Sequence, residues 1–306
     1  MVYKYIYGTS GNDNIKLGNE KYIVFAGEGN NSILTGNGDD YIYAGAGDDV
    51  IFAGNGNNKV YAAEGRNRVT TGSGHDVIYT GAGDDVIAAG NGNNQIYAGE
   101  GRNFVTAGNG NDLIYTGAGD DLIYAGNGNN TIYAAEGRNG VVTGNGNDLI
   151  YTGAGDDLIY AGNGNNTIYA AEGRNGVVTG NGNDLIYTGA GDDYIVAGAG
   201  DDKIYAAEGN NIIAAGTGKD IVYVGSGKNQ FIFDGGFGAV TVYGFGADDL
   251  ISLGMGIASN TQLKFTISGN DTFVSAGNDL LATLKDIKLT GGNIVPLPAP
   301  IPTITA

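Results

Sequence analysis

The sequence predicts an all-β protein, a parallel β-roll with two nonamers per coil, two stacked parallel sheets and a small C-terminal β cap. Three observations predict this fold. Gly accounts for 58 of the 306 residues, a nine-residue repeat runs without insertion or deletion from Gly8 to Ile232, and nearly every repeat carries an aliphatic residue at its eighth position. Uninterrupted periodicity of this kind is typical of solenoids, in which each repeat packs on its neighbours.

The nonamer itself predicts a turn followed by a short strand. A typical unit is residues 116–124, TGAGDDLIY, with Gly at positions two and four, Asp at position six and Ile at position eight. The first six positions are Gly-rich and polar and predict a turn, whereas the last three predict a strand. The position-eight side chain should point inward, and those of positions seven and nine outward. Among the 25 nonamers, the one that begins at Leu17 departs most, with Glu20 and Tyr22 at positions four and six.

Longer periods indicate how the nonamers stack. Residues 108–157 recur unchanged as 144–193, which gives a period of four nonamers, or two coils. Alternate nonamers then stack separately, and each sheet gains one strand every 18 residues. The predicted organisation is a capping strand at 1–7, the roll at 8–232, a β cap at 233–294 and a Pro-rich tail at 295–306.

Composition excludes several function classes. The formal charge of −18 and the pI near 4.1 disfavour nucleic acid and anionic membranes as partners and favour cations. The chain has no Cys, which excludes disulfides and thiolate metal sites. No segment approaches the roughly 20 apolar residues needed to span a bilayer, and the N-terminus lacks the apolar run of a signal peptide. We expect a protein that either stays inside the cell or is exported without a cleaved N-terminal signal.

The nonamers resemble those of a known family. GNGDDYIYAG at residues 36–45 and GAGDDLIYAG at 117–126 look like the RTX, or hemolysin-type, calcium-binding nonapeptide repeats. The resemblance implies a type I secreted protein, located outside the cell or on its surface, whose C-terminal flank caps the roll and contributes to an uncleaved export signal. It also implies that position-six carboxylates and turn carbonyls of successive coils bind several Ca²⁺ ions.

Position six supplies the metal ligands that the resemblance implies. The matching carboxylates are Asp13, Asp40, Asp49, Asp76, Asp85, Asp112, Asp121, Asp148, Asp157, Asp184, Asp193, Asp202 and Asp220. The Asn residues placed in the same candidate sites are Asn58, Asn67, Asn94, Asn103, Asn130, Asn139, Asn166 and Asn175, and Asn31, Asn211 and Asn229 also occupy position six.

Asp and Asn alternate at position six along each stack, which departs from the family pattern. Most sites between coils would therefore be offered one carboxylate and one amide oxygen, and we expect weak or partly occupied sites. The alternative is that the Asn nonamers form hydrogen-bonded amide ladders without metal. Asn also lowers the self-repulsion of the metal-free roll, so more structure should survive without calcium.

Position nine of one sheet carries an aromatic row. It consists of Tyr43, Tyr61, Tyr79, Tyr97, Tyr115, Tyr133, Tyr151, Tyr169, Tyr187, Tyr205 and Tyr223. Position seven beside it includes Val77, Leu113 and Leu149. An outward apolar surface of this extent is typical of an interface. Three interpretations remain open: an internal ladder that stiffens the sheet, lateral association into dimers or filaments, and contact with an extracellular polysaccharide.

The outer edges predict solvated ladders. Position five of one edge alternates Asp and Arg, as in Asp48 and Arg66, which predicts a row of surface ion pairs. Positions three and five of the other edge are mostly Asn, as in Asn91 and Asn93, which predicts a soluble amide edge. Such a regular polar edge resembles that of some ice-binding adhesins, but Thr is nearly absent from it.

We expect no catalytic site and no cofactor other than Ca²⁺. His75, the single His, lies at the outward position five, and the Asp-Asp pairs recur in identical surroundings, whereas catalytic pairs need different environments. The sequence predicts a secreted structural protein of the cell surface or extracellular matrix that folds or stiffens on Ca²⁺ and forms homo-oligomers or filaments. The alternative is an adhesin-type module that binds glycan or ice.

Overall fold

The computed structural model describes residues 2–236 and 238–299. Every regular element in these residues is a β-strand, which confirms the all-β prediction. The chain divides between Gly153 and Ala154 into two compact units, and each is described by itself.

The first unit contains two parallel sheets. Its strands are β1 (Lys4–Tyr7), β2 (Asn14–Lys16), β3 (Tyr22–Phe25), β4 (Ser32–Leu34), β5 (Tyr41–Tyr43), β6 (Val50–Gly54), β7 (Lys59–Ala63), β8 (Arg68–Thr71), β9 (Val77–Thr80), β10 (Val86–Ala88), β11 (Gln95–Tyr97), β12 (Phe104–Thr106), β13 (Leu113–Thr116), β14 (Leu122–Gly126), β15 (Thr131–Ala134), β16 (Gly140–Thr143) and β17 (Leu149–Thr152). Odd-numbered strands form one sheet and even-numbered strands the other. Tyr97 pairs with Tyr115, and Ile87 pairs with Val105, so both sheets have the predicted 18-residue register.

The second unit has the same alternation of strands between two sheets. Its strands are β18 (Leu158–Tyr160), β19 (Thr167–Ala170), β20 (Gly176–Val178), β21 (Leu185–Thr188), β22 (Tyr194–Val196), β23 (Lys203–Ala206), β24 (Ile212–Ala214), β25 (Ile221–Val224), β26 (Gln230–Phe233), β27 (Val240–Tyr243), β28 (Leu250–Leu253), β29 (Leu263–Ser268), β30 (Asp271–Ala276), β31 (Asp279–Leu284) and β32 (Asn293–Ile294). Strands β19 to β27 and β18 to β28 pair in parallel within their own sheets.

The core of each unit has two inward positions per nonamer. Position eight is fully buried, as predicted, for example at Ile96 and Ile123. Position one is buried as well, for example at Ala98 and Ala125. This second buried row, at position one, differs from the prediction, which places position one in the polar turn. Each position-eight side chain stabilises the roll by about 1.5–3 kcal/mol on burial.

Glycine is required where successive turns approach each other closely. Gly119, at position four, has a φ of +145°, and a Cβ built on it would overlap the carbonyl oxygen of Gly101 in the preceding coil. The absence of a side chain therefore allows the turns to stack at the strand spacing.

Parallel pairing continues past Ile232, the last residue of the nonamer register. Strand β27 pairs with β25, Ile221 opposite Thr241, and β28 pairs with β26, Gln230 opposite Leu250, so the offset widens from 18 to 20 residues. Strands β29, β30 and β31 then form an antiparallel meander, and β31 pairs in parallel with β27. The sheet of β28 ends on β32.

At the N-terminus, β1 pairs in parallel with β3 and begins one sheet, in the region where a capping strand was predicted. Near the other end, the Val295 backbone N–H donates to the Ile251 carbonyl at 2.9 Å, and the Ser252 hydroxyl donates to Pro296. Residues 300–306 of the predicted tail lie outside the described residues.

Candidate calcium-binding turns

The position-six side chains form buried ladders within each unit. In one stack, the backbone N–H of Asp76 donates to Asn94 Oδ1 at 3.0 Å, that of Asn94 to Asp112 Oδ1 at 2.7 Å, and that of Asp112 to Asn130 Oδ1 at 3.1 Å. These four side chains are at most 2% exposed. The predicted alternation of Asp and Asn is therefore a continuous row of contacts between coils.

Asp at position six leaves one buried oxygen without a hydrogen bond. In Asp202, Oδ1 accepts the backbone N–H of Asp184 in the preceding coil, but Oδ2 has no hydrogen-bond partner among the described residues. In Asp85 the Oδ2 atom likewise has no hydrogen bond of normal geometry, although the nearby Thr80 hydroxyl acts to lower the pKa of this carboxyl group. The Asp residues with such an Oδ2 include Asp40, Asp49, Asp76, Asp85, Asp112, Asp121, Asp184, Asp193 and Asp202. An ionised oxygen buried in this way requires a cation or a proton.

Burial raises the pKa of these carboxyl groups. The pKa is about 6 for Asp49, Asp85, Asp112 and Asp193. That of Asp202 is about 8, because burial is reinforced by the neighbouring charges of Asp184 and Asp220. The metal-free turns therefore hold their negative charge at a cost, which a bound cation would offset.

Asn at position six hydrogen-bonds through both of its polar atoms in turns such as those of Asn31 and Asn94, whereas Asn229 Nδ2 has no hydrogen-bond partner in the described structure. Asn31 Nδ2 lies 3.2 Å from the Gly27 carbonyl oxygen, 2.9 Å from that of Gly29 and 3.0 Å from that of Ala44 in the next coil. Asn67 and Asn103 donate in the same way to carbonyls two and four residues earlier. The amide thus fills the turn with hydrogen bonds, and its oxygen is engaged by a backbone N–H of the preceding coil.

Three carboxylates follow one another in one stack of the second unit. The Asp184 N–H donates to Asp202 Oδ1 at 2.7 Å, and the Asp202 N–H donates to Asp220 Oδ1 at 2.9 Å. All three side chains are buried. This run has the two carboxylates per pair of coils that the family pattern implies, whereas the alternating stretches have one.

The remaining predicted position-six residues have the same placement, with one exception. Asp148, Asp157, Asn58, Asn130, Asn139, Asn166 and Asn175 are all buried at position six of their turns. Asp13, in the first coil, is partly exposed, and its Oδ2 accepts the Thr9 N–H at 2.7 Å. Its carboxylate is therefore engaged by its own turn.

Two features of the turns escaped the sequence interpretation. Asp249 is buried and extends a position-six ladder, because its Oδ1 accepts the Asn229 N–H at 2.8 Å. The sequence GADDLI at residues 246–251 matches the nonamer pattern, but Asp249 lies two residues beyond the place that the nine-residue period gives to position six. The second feature is Thr at position one: the Thr80 hydroxyl donates to the Ala98 carbonyl of the next coil at 2.7 Å.

The predicted Tyr row is a stacked ladder. From Tyr43 to Tyr151 in the first unit, successive rings lie 4.5 to 5.3 Å apart and within 7° of parallel. In the second unit the ladder runs from Tyr169 through Tyr187, Tyr205 and Tyr223 to Tyr243. Tyr7 and Phe25 extend the first ladder at its N-terminal end. Each ring covers the faces of its neighbours in the ladder, and the Tyr residues remain partly exposed.

The outer edges carry the ladders that the sequence predicts. The Arg66 guanidinium lies 3.2 Å from the Asp48 carboxylate, and the Arg138 guanidinium lies 3.2 Å from that of Asp120. On the other edge, Asn109 Nδ2 donates to Asn91 Oδ1 at 2.9 Å. The ion pairs are solvent-exposed, and water and salt screen their attraction, so they contribute little to stability.

Comparison with family models identifies the repeats. The model of the RTX calcium-binding nonapeptide repeat (4 copies) matches ten overlapping or adjoining segments, which are residues 25–60, 61–96, 70–105, 97–132, 106–141, 142–177, 169–204, 178–213, 196–231 and 232–257. The chain therefore belongs to the RTX calcium-binding repeat family, and its fold is that of an RTX β-roll.

Comparisons with whole proteins add little. No curated protein sequence matches the chain. The crystal structure of extracellular lipase LipA from Serratia marcescens is similar over 60% of this chain and 40% of the lipase chain, with 20% identity and a TM-score of 0.24. A likeness this weak carries no argument about activity. No helix in the described residues is long and apolar enough to cross a membrane.

The Asp turns fit the calcium that the family binds. Their unpartnered Oδ2 atoms supply carboxylate oxygens and the turn backbone supplies carbonyl oxygens, and oxygen-only coordination suits Ca²⁺. No group of three His, Cys, Asp or Glu side chains that could hold a metal occurs in the described parts of the chain. The other oxygen atoms near position six are backbone carbonyls of the turn, such as those of Gly90 and Gly92 around Asn94.

Proposed function

We propose that this protein is a secreted, calcium-stabilised structural component of a cell surface or extracellular matrix, which self-associates through its Tyr ladder. The observation that carries self-association is the row of parallel rings on one sheet of each unit. Calcium is assigned to the Asp turns, where it would neutralise buried carboxylates and bind successive coils together. Secretion is proposed because RTX repeats accompany type I export.

The geometry of the Tyr ladder supports protein association over glycan binding. Sugars stack on open aromatic faces, but in each described ladder the faces cover one another at about 5 Å. What remains is a ridge of half-buried ring edges beside Leu113 and Leu149, with Tyr115 36% exposed. A flat ridge of this kind suits the same ridge on a second copy, because identical spacing keeps both in register.

A non-catalytic role is part of the proposal. Outside the run from Asp184 to Asp220, the Asp turns repeat a similar environment from coil to coil, whereas acid–base catalysis needs groups whose pKa values are separated by different surroundings. His75, at the outer edge, accepts the Asn93 N–H on Nδ1 at 2.9 Å and thus replaces one amide of that ladder. Its contacts are those of a structural substitution.

Particle mass during a calcium titration tests the self-association. We expect the mass of the wild-type protein, measured by light scattering, to rise with Ca²⁺. The triple variant Tyr79→Thr, Tyr97→Thr, Tyr115→Thr should remain monomeric, because it interrupts the ridge at three successive coils. Loss of stacking should also lower its stability by about 0.5–1.5 kcal/mol per ring pair.

The matched control is the double variant Phe104→Thr, Tyr124→Thr, which removes an aromatic pair from the opposite sheet. It should assemble like the wild type. Circular dichroism confirms that each variant keeps its β structure in calcium. A wild-type protein that stays monomeric at all calcium concentrations contradicts self-association, and specific retention of that monomer on an extracellular polysaccharide would favour the adhesin alternative.

A further inference from the structure

The carbonyl oxygens of an Asn turn surround one nitrogen atom. Asn94 Nδ2 lies 3.3 Å from the Gly90 oxygen, 3.0 Å from the Gly92 oxygen and 3.2 Å from the Ala107 oxygen of the next coil. Asn31 has the same three contacts with its own turn and the next coil. The nitrogen is buried among acceptors, which is the environment of a small cation.

The hydrogen-bond network fixes the orientation of this amide. Asn94 Oδ1 accepts the Asp76 N–H at 3.0 Å, and a backbone N–H can only donate. The three carbonyls on the other side can only accept. The NH₂ group must therefore face the carbonyls, and the amide oxygen faces the backbone N–H of the preceding coil instead of the carbonyls of its own turn.

Asp presents the opposite polarity in the same place. Asp112 Oδ1 accepts the Asn94 N–H, as the amide oxygen does in an Asn turn. Its Oδ2 therefore takes the position that Nδ2 has in Asn, where it is buried without a hydrogen-bond partner in the described structure. An oxygen with no hydrogen, next to carbonyl oxygens, leaves the turn incomplete until a cation enters.

We propose that the Asn side-chain NH₂ takes the place of the calcium ion in alternate turns, so that calcium binds only where position six is Asp, and most tightly along Asp184, Asp202 and Asp220. The Asn turns are thereby closed without metal and hold the roll together between the calcium-dependent turns. In the Asp184–Asp220 run no amide interrupts the stack, so three successive coils each carry a buried carboxylate at position six. This inference rests on the calcium binding of the proposed function, but it is independent of self-association.

Two substitutions in opposite directions test the assignment. In Asn94→Asp, calcium stoichiometry per chain, measured by equilibrium dialysis, should rise by one ion, and the thermal midpoint in EGTA should fall. In Asp202→Asn, the stoichiometry should fall by at least one ion, and the midpoint in EGTA should rise, because an amide replaces a carboxylate held between two others. Asn93→Asp, which makes the same change at an exposed position five, should alter neither quantity.

The outcomes separate this inference from the function on which it rests. Unchanged stoichiometry in both Asn94→Asp and Asp202→Asn, with calcium bound by the wild type, overturns the inference alone. A lower EGTA midpoint for Asp202→Asn overturns it too, and this measurement stands even if Asn94→Asp fails to fold without calcium. A wild-type chain that binds no calcium overturns the proposed calcium binding itself. Particle mass does not enter any of these readouts.

Discussion

Asn94 and Asp112 occupy equivalent places in one stack, but the second polar atom of each has a different requirement. The Asn94 nitrogen donates to three carbonyl oxygens, whereas the second oxygen of Asp112 is buried and has no hydrogen to donate. A single exchange of NH₂ for oxygen therefore changes a self-contained turn into one that needs a cation. Buried polar groups that lack a partner are costly, which is why this exchange matters more here than at the exposed position five.

The sequence locates the position-six residues correctly but cannot assign their partners. Their spacing follows from the nine-residue period, so the amino-acid sequence alone places Asp85 and Asn103 at one edge of a coil. Which side-chain atom faces the carbonyls depends on the hydrogen bonds made between coils, and these become visible only in three dimensions. The position-six amide oxygens, which the sequence places in candidate metal sites, accept a backbone N–H of the preceding coil, as in Asn103.

Thr at position one occurs together with Asp at position six, a pattern that the sequence shows but does not explain. All eight Thr residues at this position belong to Asp nonamers; they are Thr35, Thr71, Thr80, Thr116, Thr143, Thr152, Thr179 and Thr188. The Thr35, Thr71 and Thr179 hydroxyls donate to a buried Ala carbonyl in the next coil. This hydrogen bond gives an Asp coil an additional link to the next coil, which carries Asn at position six after Thr35 and Thr71 and Asp202 after Thr179.

The raised pKa values predict how pH acts on the metal-free protein. Burial raises the pKa of Asp49, Asp85, Asp112 and Asp193 from 3.8 to about 6, and that of Asp202 to about 8. Because the folded pKa exceeds the unfolded one, the folded state binds more protons. The resulting stability is fully present below about pH 4 and is lost as pH rises through 6 and then 8.

We therefore expect the thermal midpoint of metal-stripped protein to rise when the pH is lowered from 8.5 to 5.5. In Asp202→Asn the part of this rise above pH 7 should be smaller, because the group with a pKa of about 8 is gone. With excess calcium the dependence should weaken, since the ion replaces the protons. A midpoint that falls on acidification of the metal-stripped wild type contradicts the assignment.

At the scale of the strand and coil, a typical nonamer contributes one strand of three to five residues, inward side chains at positions one and eight, and a buried polar side chain at position six. The periodicity predicted the position-eight row because aliphatic residues recur there. It did not predict the position-one row, because Ala and Thr carry little hydrophobic signal beside a Gly-rich turn. The coil that ends in β28 was also missed, because a two-residue expansion ends the exact register without ending the parallel pairing.

The two faces of a strand should respond differently to truncation. Ile123→Ala should lower the free energy of unfolding by about 2–5 kcal/mol, because Ile123 is fully buried and its loss leaves a cavity between coils. The adjacent Leu122→Ala should cost clearly less, since Leu122 is half-buried on the outer face. Denaturant unfolding in calcium measures both. Equal losses would contradict the placement of position eight as the inward row.

At the scale of the whole molecule, a charge of −18 opposes compaction, and calcium acts against it. The Asn turns reduce this charge repulsion, because Asn replaces a carboxylate in the stack. The Asn side-chain NH₂ group also hydrogen-bonds the carbonyls of its turn, as in Asn94. We therefore expect a roll that keeps part of its β structure without calcium and gains stability with it. The composition and the repeat predict an acidic roll that favours cations. They do not predict which turns are stabilised by a metal ion and which by an Asn side-chain NH₂ group.

The most direct test of the calcium-binding Asp turns is the thermal midpoint of metal-stripped wild-type protein, followed by circular dichroism as Ca²⁺ is added. A ligand that binds only the folded state stabilises it increasingly with concentration. The midpoint should therefore rise continuously up to millimolar calcium, from a metal-free state that already has β structure. A midpoint that does not change over this range would show that the buried carboxylates are satisfied without calcium.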